Sequence, residues 1–297
     1  MILLGLGTLT LSFHCMRIGR EPFATWFYNF AWWSYILVID GLVYRRRGES
    51  LLLSYPRRFL LLAAWSSVLW FLFEALNFRL NNWFYVGLPS SSVARWIGYF
   101  MAYATVVPAL FETMDCLDAA GFVRDKESKY KLSSRVRGRV WGGVGIVLLV
   151  LPMIWPRYFF PLVWGGFAFL VEPWNERWGQ RGLWADLREG RLRRVILLLW
   201  SGLICGGLWE FWNFWARAKW EYSVPFVGSL KMFEMPVLGY LGFPVFAVEC
   251  FIMTMAVVTL WNRLSRIGRW SLGFVGLAFG LLSCWAIDHF TVRSFYG

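Results

Sequence analysis

Nine apolar stretches, separated by short connections rich in arginine, leave this chain of 297 residues few ways to fold. They run over roughly 1–16, 25–43, 58–77, 98–118, 140–155, 158–172, 193–214, 238–261 and 267–290. A helix needs ~20 residues to cross ~30 Å of hydrocarbon, and a spanning segment must satisfy its backbone internally. The first, fifth and sixth stretches are short for that task. The fifth and sixth flank Pro156 and can form a hairpin that tilts or partly re-enters. Composition agrees with a lipid setting: 58% of residues are hydrophobic and 16% charged, and 21 Trp and 27 Phe exceed what a soluble core of this size hides. The expected fold is all-α, a polytopic transmembrane bundle of about nine spans.

A net charge of +12 would suit a nucleic-acid partner if it were gathered on one surface. Instead, 21 of the 30 Lys and Arg fall in alternate connections, at 44–58, 119–139, 173–194 and 262–269. That is the positive-inside pattern. It predicts a multi-pass protein of the inner (plasma) membrane, N-terminus cytoplasmic and C-terminus outside, with the bilayer as its partner and no nucleic acid. The start of the chain has no basic n-region or small-residue cleavage pattern, so it reads as a first span rather than a signal peptide. Trp174, Trp178 and Trp184 lie among charges in 173–194, where an amphipathic helix on the inner leaflet or a solvated loop both fit.

One motif occurs twice. Glu74-Ala75-Leu76-Asn77-Phe78 is followed by Trp83-Phe84-Tyr85, and Glu210-Phe211-Trp212-Asn213-Phe214 by Trp220-Glu221-Tyr222. Further pairs share the spacing: Asp40 with Glu172 at an offset of 132, Glu74 with Glu210 at 136, and Glu112 with Glu249 at 137. A nearly constant offset indicates duplication. Four spans per copy would leave both copies facing the same way, as parallel repeats about an axis along the membrane normal. The expected units are 1–122 and 135–262, with 263–297 as an added C-terminal helix.

The duplicated acids are the candidates for chemistry. Glu74 and Asn77, like Glu210 and Asn213, stand i, i+3 on one helical face, where the amide can donate to the acid. A carboxylate near mid-membrane costs ~2.5–3.5 kcal/mol, so acids kept there ask for a reason. The two faces either line a shared cavity or clamp the copies together. Glu112 and Glu249 follow Pro108 and Pro244, and a proline inside a helix kinks it and frees a carbonyl. A neutral carboxylic acid in such an apolar pocket can donate a proton, although Glu112 could instead pair with a cytoplasmic arginine. Asp40 and Glu172 adjoin arginines and read as salt-bridged. Trp83, Tyr85, Trp220 and Tyr222 form an aromatic belt or roof an apolar cavity, where ring faces stabilise a carbocation. His14 and the adjacent Asp288 and His289 read as structural. Two His and five Cys (15, 116, 205, 250 and 284) without a CxxC pair give no metal or haem site, and no nucleotide motif stands out, so no cofactor is expected.

Trp220-x-Tyr222, Pro225, Gly228 and Gly242-Phe243-Pro244 with Glu249 resemble the repeated unit of the membrane-embedded lycopene cyclases, which occur as two small subunits or a tandem fusion. That family shows Trp-x-Tyr after one span and a Pro-x-Glu-Glu motif opening the next. Here neither Pro108 nor Pro244 is followed by that acid pair, and the family unit has three spans rather than four. The resemblance implies an isoprenoid or carotenoid cyclase or isomerase, with Glu249, Glu112, Glu210 and Glu74 as its acids. Asn213, Asn77, Trp220, Tyr222, Trp83 and Tyr85 would then contact the substrate. A proton- or cation-coupled transporter fits the same acids, as does a non-catalytic membrane subunit with a protein partner or a second copy.

Overall fold

The structure is a computed structural model that describes residues 1–124, 128–129, 131–132, 138–228 and 230–296. In chain order the helices are α1 (Ile2–Arg17), α2 (Phe23–Arg47), α3 (Leu51–Ser54), α4 (Pro56–Leu80), α5 (Ser92–Tyr103), α6 (Val106–Ala119), α7 (Gly138–Ile154), α8 (Pro156–Phe159), α9 (Val163–Arg177), α10 (Leu183–Glu189), α11 (Arg193–Trp215), α12 (Gly242–Arg263) and α13 (Arg266–Phe290). Short strands lie between them: β1 (Trp83–Val86), β2 (Leu88–Pro89), β3 (Lys219–Tyr222), β4 (Lys231–Met232), β5 (Met235–Pro236) and β6 (Phe295–Tyr296).

Every expected apolar stretch is helical. Among the described residues, five helical segments have both the length and the apolarity to cross a membrane: Pro56–Leu80, Ser92–Ala119, Arg193–Trp215, Val237–Arg263 and Arg266–Phe290. That is fewer than nine. α1 and α7 are apolar but shorter, and α2 is long but lacks the apolarity. Outward rings such as Trp270 and Phe274 on α13, more than 70% exposed, have no place in water and suit lipid.

The sixth stretch is not one helix. α8 and a 3-10 turn (Phe160–Leu162) lead into α9, whose backbone leaves helical geometry at Trp164 and at Gly165, where φ is 152°. Only glycine adopts that φ without strain. The fifth and sixth stretches form the hairpin allowed by Pro156. α7 and α9 pack so closely that a Cβ on Gly145 would lie 2.4 Å from the Leu170 backbone nitrogen. Both prolines stand just past an interruption of their span: Ser92–Ala119 breaks at residues 104–105, three to four positions before Pro108, and Val237–Arg263 changes from a 3-10 turn (Val237–Leu241) to α12 just before Pro244. Pro108 and Pro244 are each the third residue of a helix, α6 and α12, where a missing N–H leaves no bond unmade. The expected amphipathic helix is the seven-residue α10. The basic stretch 123–139 lies largely outside the described residues.

At the arginine-rich end, ion pairs join the connections, with Arg47 on Asp115 and Asp118, and Arg188 on Glu176 at 2.6 Å. Among the described residues Asp40 and Glu172 take no part, contrary to expectation. Asp40 accepts from Ser50 Oγ (2.9 Å) and the Leu52 N–H (2.7 Å), and Glu172 from the Trp184 N–H (3.1 Å). Each acid caps the first turn of the short helix after its own span, where free N–H groups favour a carboxylate.

At the other end β1 and β3 pair antiparallel, with Trp83 opposite Tyr222 and Tyr85 opposite Trp220. The segment after α13 crosses β1 on its free side, the Tyr85 N–H donating to Thr291 O and the Arg293 N–H to Tyr85 O. Beneath the strands, Trp32 meets Trp209 at 5.6 Å and Trp164 stacks on Phe73 at 5.4 Å. Trp32 and Trp164 stand 132 positions apart, and Phe73 and Trp209 136 apart, the same offsets as the paired acids.

Valine at position 145 should destabilise the α7–α9 hairpin by ~1–3 kcal/mol through overpacking. Gly142→Val, where nothing lies within 4 Å of the added carbon, should shift the detergent-solubilised melting point little. Equal melting curves would contradict this packing.

Candidate functional site

The duplicated motif builds a clamp. In the first copy, Asn77 at the end of α4 uses both ends of its amide on the β1 backbone. Its Nδ2 donates to Trp83 O (2.8 Å), and its Oδ1 accepts the N–H of Asn82 (2.8 Å) and of Trp83 (3.3 Å). Asn213 treats β3 alike, with Nδ2 on Trp220 O (2.8 Å) and Oδ1 on the Trp220 N–H (3.0 Å). The expectation that each Asn supports its neighbouring Glu is therefore corrected. The amide completes a strand whose first residue would otherwise carry bare polar groups.

The acids hold the side chains of the same strands. Glu74 Oε1 accepts from Trp70 Nε1 (2.9 Å), Trp83 Nε1 (3.2 Å), Tyr85 Oη (2.5 Å) and Tyr103 Oη (3.4 Å). Glu210 Oε1 accepts from Tyr222 Oη at 2.8 Å, with the Trp220 indole beside it. The position matching Trp70, four residues before the acid, is Gly206 in the second copy, and Phe243 packs over it. Glu210 thereby has fewer donors than Glu74. Burial, then the carboxyls of Glu74 and Glu210 respectively, push the Tyr85 and Tyr222 hydroxyls well above the usual phenol range. Both stay donors at neutral pH.

Below β1 and β3, between the two halves, lies a cavity of about 510 Å³. Its volume is that of a small-molecule site. Trp83, Tyr85, Trp220 and Tyr222 line it, together with Trp70, Tyr103, Trp164, Trp209 and Phe246. Of the four acids singled out in the sequence, Glu210 alone is in this wall. It is fully buried, and its Oε2 has no hydrogen-bond partner.

The other candidates lie elsewhere. Glu74, Asn77 and Asn213 are buried behind the strands and do not line the cavity. Glu249, on α12, turns toward the break in α9, where its Oε1 accepts the Phe167 N–H at 2.7 Å. It caps the restarted helix, where the broken turn leaves N–H groups free. Glu112, on α6, lies carboxyl to carboxyl against Asp40 near the arginine-rich end, and among the described residues no arginine is paired with it. Neither lines the cavity.

Sequence reasoning missed Trp70, Tyr103, Trp209, Asn29 and Asn82 as parts of the wall. Asn29 carried a signal, as a lone amide inside an apolar stretch. The tryptophans carried none, because 21 of them are spread along the chain. Among the described residues no group of His, Cys, Asp and Glu is arranged to hold a metal ion. Comparison with protein-family models, with curated proteins and with solved structures finds no match to this chain.

Replacing Asn77 by Leu strips partners from two buried N–H groups and one carbonyl, each costing ~1–3 kcal/mol when unmet. Asn77→Leu should therefore lower stability against denaturant more than Asn213→Leu, which loses two bonds. The reverse order, or no loss in either, would remove the clamp.

Proposed function

We propose that this membrane protein binds an unsaturated apolar lipid of the isoprenoid class in the cavity beneath β1 and β3, and isomerises or cyclises it with Glu210 as the acid. The observation that carries this reading is a buried carboxyl with one free oxygen in a wall made mostly of indoles, phenols and aliphatic groups, with Thr25, Asn29, Asn82 and Lys219 as its other polar members. In its acid form Glu210 gives its proton to a carbon–carbon double bond. The resulting carbocation is held by the ring faces around it, through cation–π attraction. A second double bond closes on it, or it shifts, and a neighbouring C–H returns a proton to the carboxylate. Atoms and electrons balance, and the product is an isomer of the substrate. Tyr222 fixes the carboxyl through Oε1 and leaves Oε2 for the transfer.

The resemblance to tandem lycopene cyclases supports the substrate class, and the cavity supports the choice among the four acids. Glu74 is assigned to holding β1, Glu249 to holding the break in α9, and Glu112 to packing against Asp40. Two parallel duplicated halves explain why the rings of one half enter the other at equivalent positions, and why β1 meets β3 about the midpoint of Phe84 and Glu221. The arginine-rich end is assigned to the cytoplasm and the sheet end to the outside.

Expression in a host that makes isoprenoids tests the proposal by mass spectrometry of extracted lipids. An isomer of a host lipid, equal in mass and shifted in retention, should accumulate with the wild-type chain. It should be absent with Glu210→Gln, while that variant still folds and co-purifies with lipid. Normal product from Glu210→Gln overturns the assignment. Glu249→Gln should lower thermal stability and still give product.

A further inference from the structure

Of the described residues in the cavity wall, four are exposed: Pro161, Leu238, Leu241 and Val245. All four are apolar, and Leu241 is 71% exposed. Pro161 belongs to the 3-10 turn before α9, Leu238 and Leu241 to the 3-10 turn before α12, and Val245 to the first turn of α12. At the sheet end, by contrast, the wall residues Asn82, Trp83, Tyr85 and Met235 are buried. The cavity is therefore covered at its end and open at its side.

Two contacts bound the opening. Toward the sheet end, the ring of Phe226 stacks on Tyr158 at 5.9 Å, and the Arg157 guanidinium lies 5.3 Å from the same ring. Val224 and Val227, on either side of Phe226, line the cavity. Deeper, Val245 lies 3.5 Å from where a Cβ on Gly165 would stand, and Trp164 meets Phe246 at 5.7 Å. Between these contacts both lips are 3-10 turns rather than α-helix. Irregular backbone at membrane depth is tolerated where it lines a cavity.

The surface around the opening suits lipid. The turn on one side packs on α7 and the turn on the other on α11, whose residues Val150, Ile154, Leu203 and Phe211 are exposed. An apolar opening is unfavourable against water and matched against acyl chains. Each methylene drawn through water is also costly, and a long isoprenoid carries many. Resting on the reading that the cavity holds an apolar lipid, we infer that the gap between the turns before α9 and α12 is a lateral portal. Through it the lipid passes directly between the cavity and the surrounding acyl chains.

A bulky group fixed on one lip after folding tests this. Leu241→Cys is labelled with pyrene maleimide, and Phe274→Cys, exposed on α13 away from the opening, is the labelled control. The purified full chain in mild detergent is mixed with micelles containing squalene, and bound squalene is counted by mass spectrometry at successive times. Pyrene at position 241 should slow loading about tenfold and slow release from preloaded protein equally, leaving affinity, the ratio of the two rates, unchanged. Pyrene at position 274 should change neither rate. Unaltered rates with the label at 241, or expulsion of bound squalene by it, overturn the portal and leave the apolar-lipid reading standing. Failure of the unlabelled chain to bind squalene saturably overturns the two together.

Discussion

The architecture depends on two buried carboxyl groups that gather strand side chains at the ends of α4 and α11. A bare acid at that depth would be costly, and each is surrounded by indole and phenol donors. In meeting its own need, each acid fixes the Trp-x-Tyr strand that follows, and the neighbouring Asn satisfies that strand's backbone. The strands can then pair with each other and close one end of the bundle. Without the clamp, two short strands of four residues would have little to hold them in register.

The cavity follows from the same contacts. Trp83 and Tyr85 are held by Glu74, and Tyr222 by Glu210, so their rings become fixed walls rather than mobile side chains. The halves differ where a ring is missing. Trp70 supplies a donor to Glu74, whereas Gly206 supplies none to Glu210. Each acid keeps its Oε2 without a partner, but Glu74 sits behind the wall while its counterpart Glu210 is part of it. Of the four acids, Glu210 is therefore the one that stands in the cavity wall.

Much of this was legible in the residues. The apolar stretches predicted the helices, and the doubled Glu-x-x-Asn-Phe and Trp-x-Tyr marked the parts that meet. The partners of those residues were less legible. Helical spacing placed Asn77 beside Glu74, but spacing within a helix says nothing of a strand that folds back over its end. Pro108 and Pro244 marked where their spans are interrupted, because a proline leaves the carbonyl four residues earlier without its helical partner. Asp40 and Glu172 stood beside arginines in the sequence, yet free N–H groups of the next helical turn lay closer in space. Glu249 could not be tied to the break in α9, since Gly165 sits 84 positions away in the sequence.

The ladder between β1 and β3 has its centre between Phe84 and Glu221, with a Trp facing a Tyr on either side. Two copies of β1 laid together in that register would give the same Trp–Tyr contacts, with Phe84 meeting Phe84. Two copies of β3 would set Glu221 against Glu221, and like charges directly opposite repel. The first half, detached from the second, therefore carries a self-complementary edge, whereas the second carries one that rejects its own kind. Because β1 and β3 belong to one chain, their mixed pairing is intramolecular and does not have to compete with self-association on equal terms.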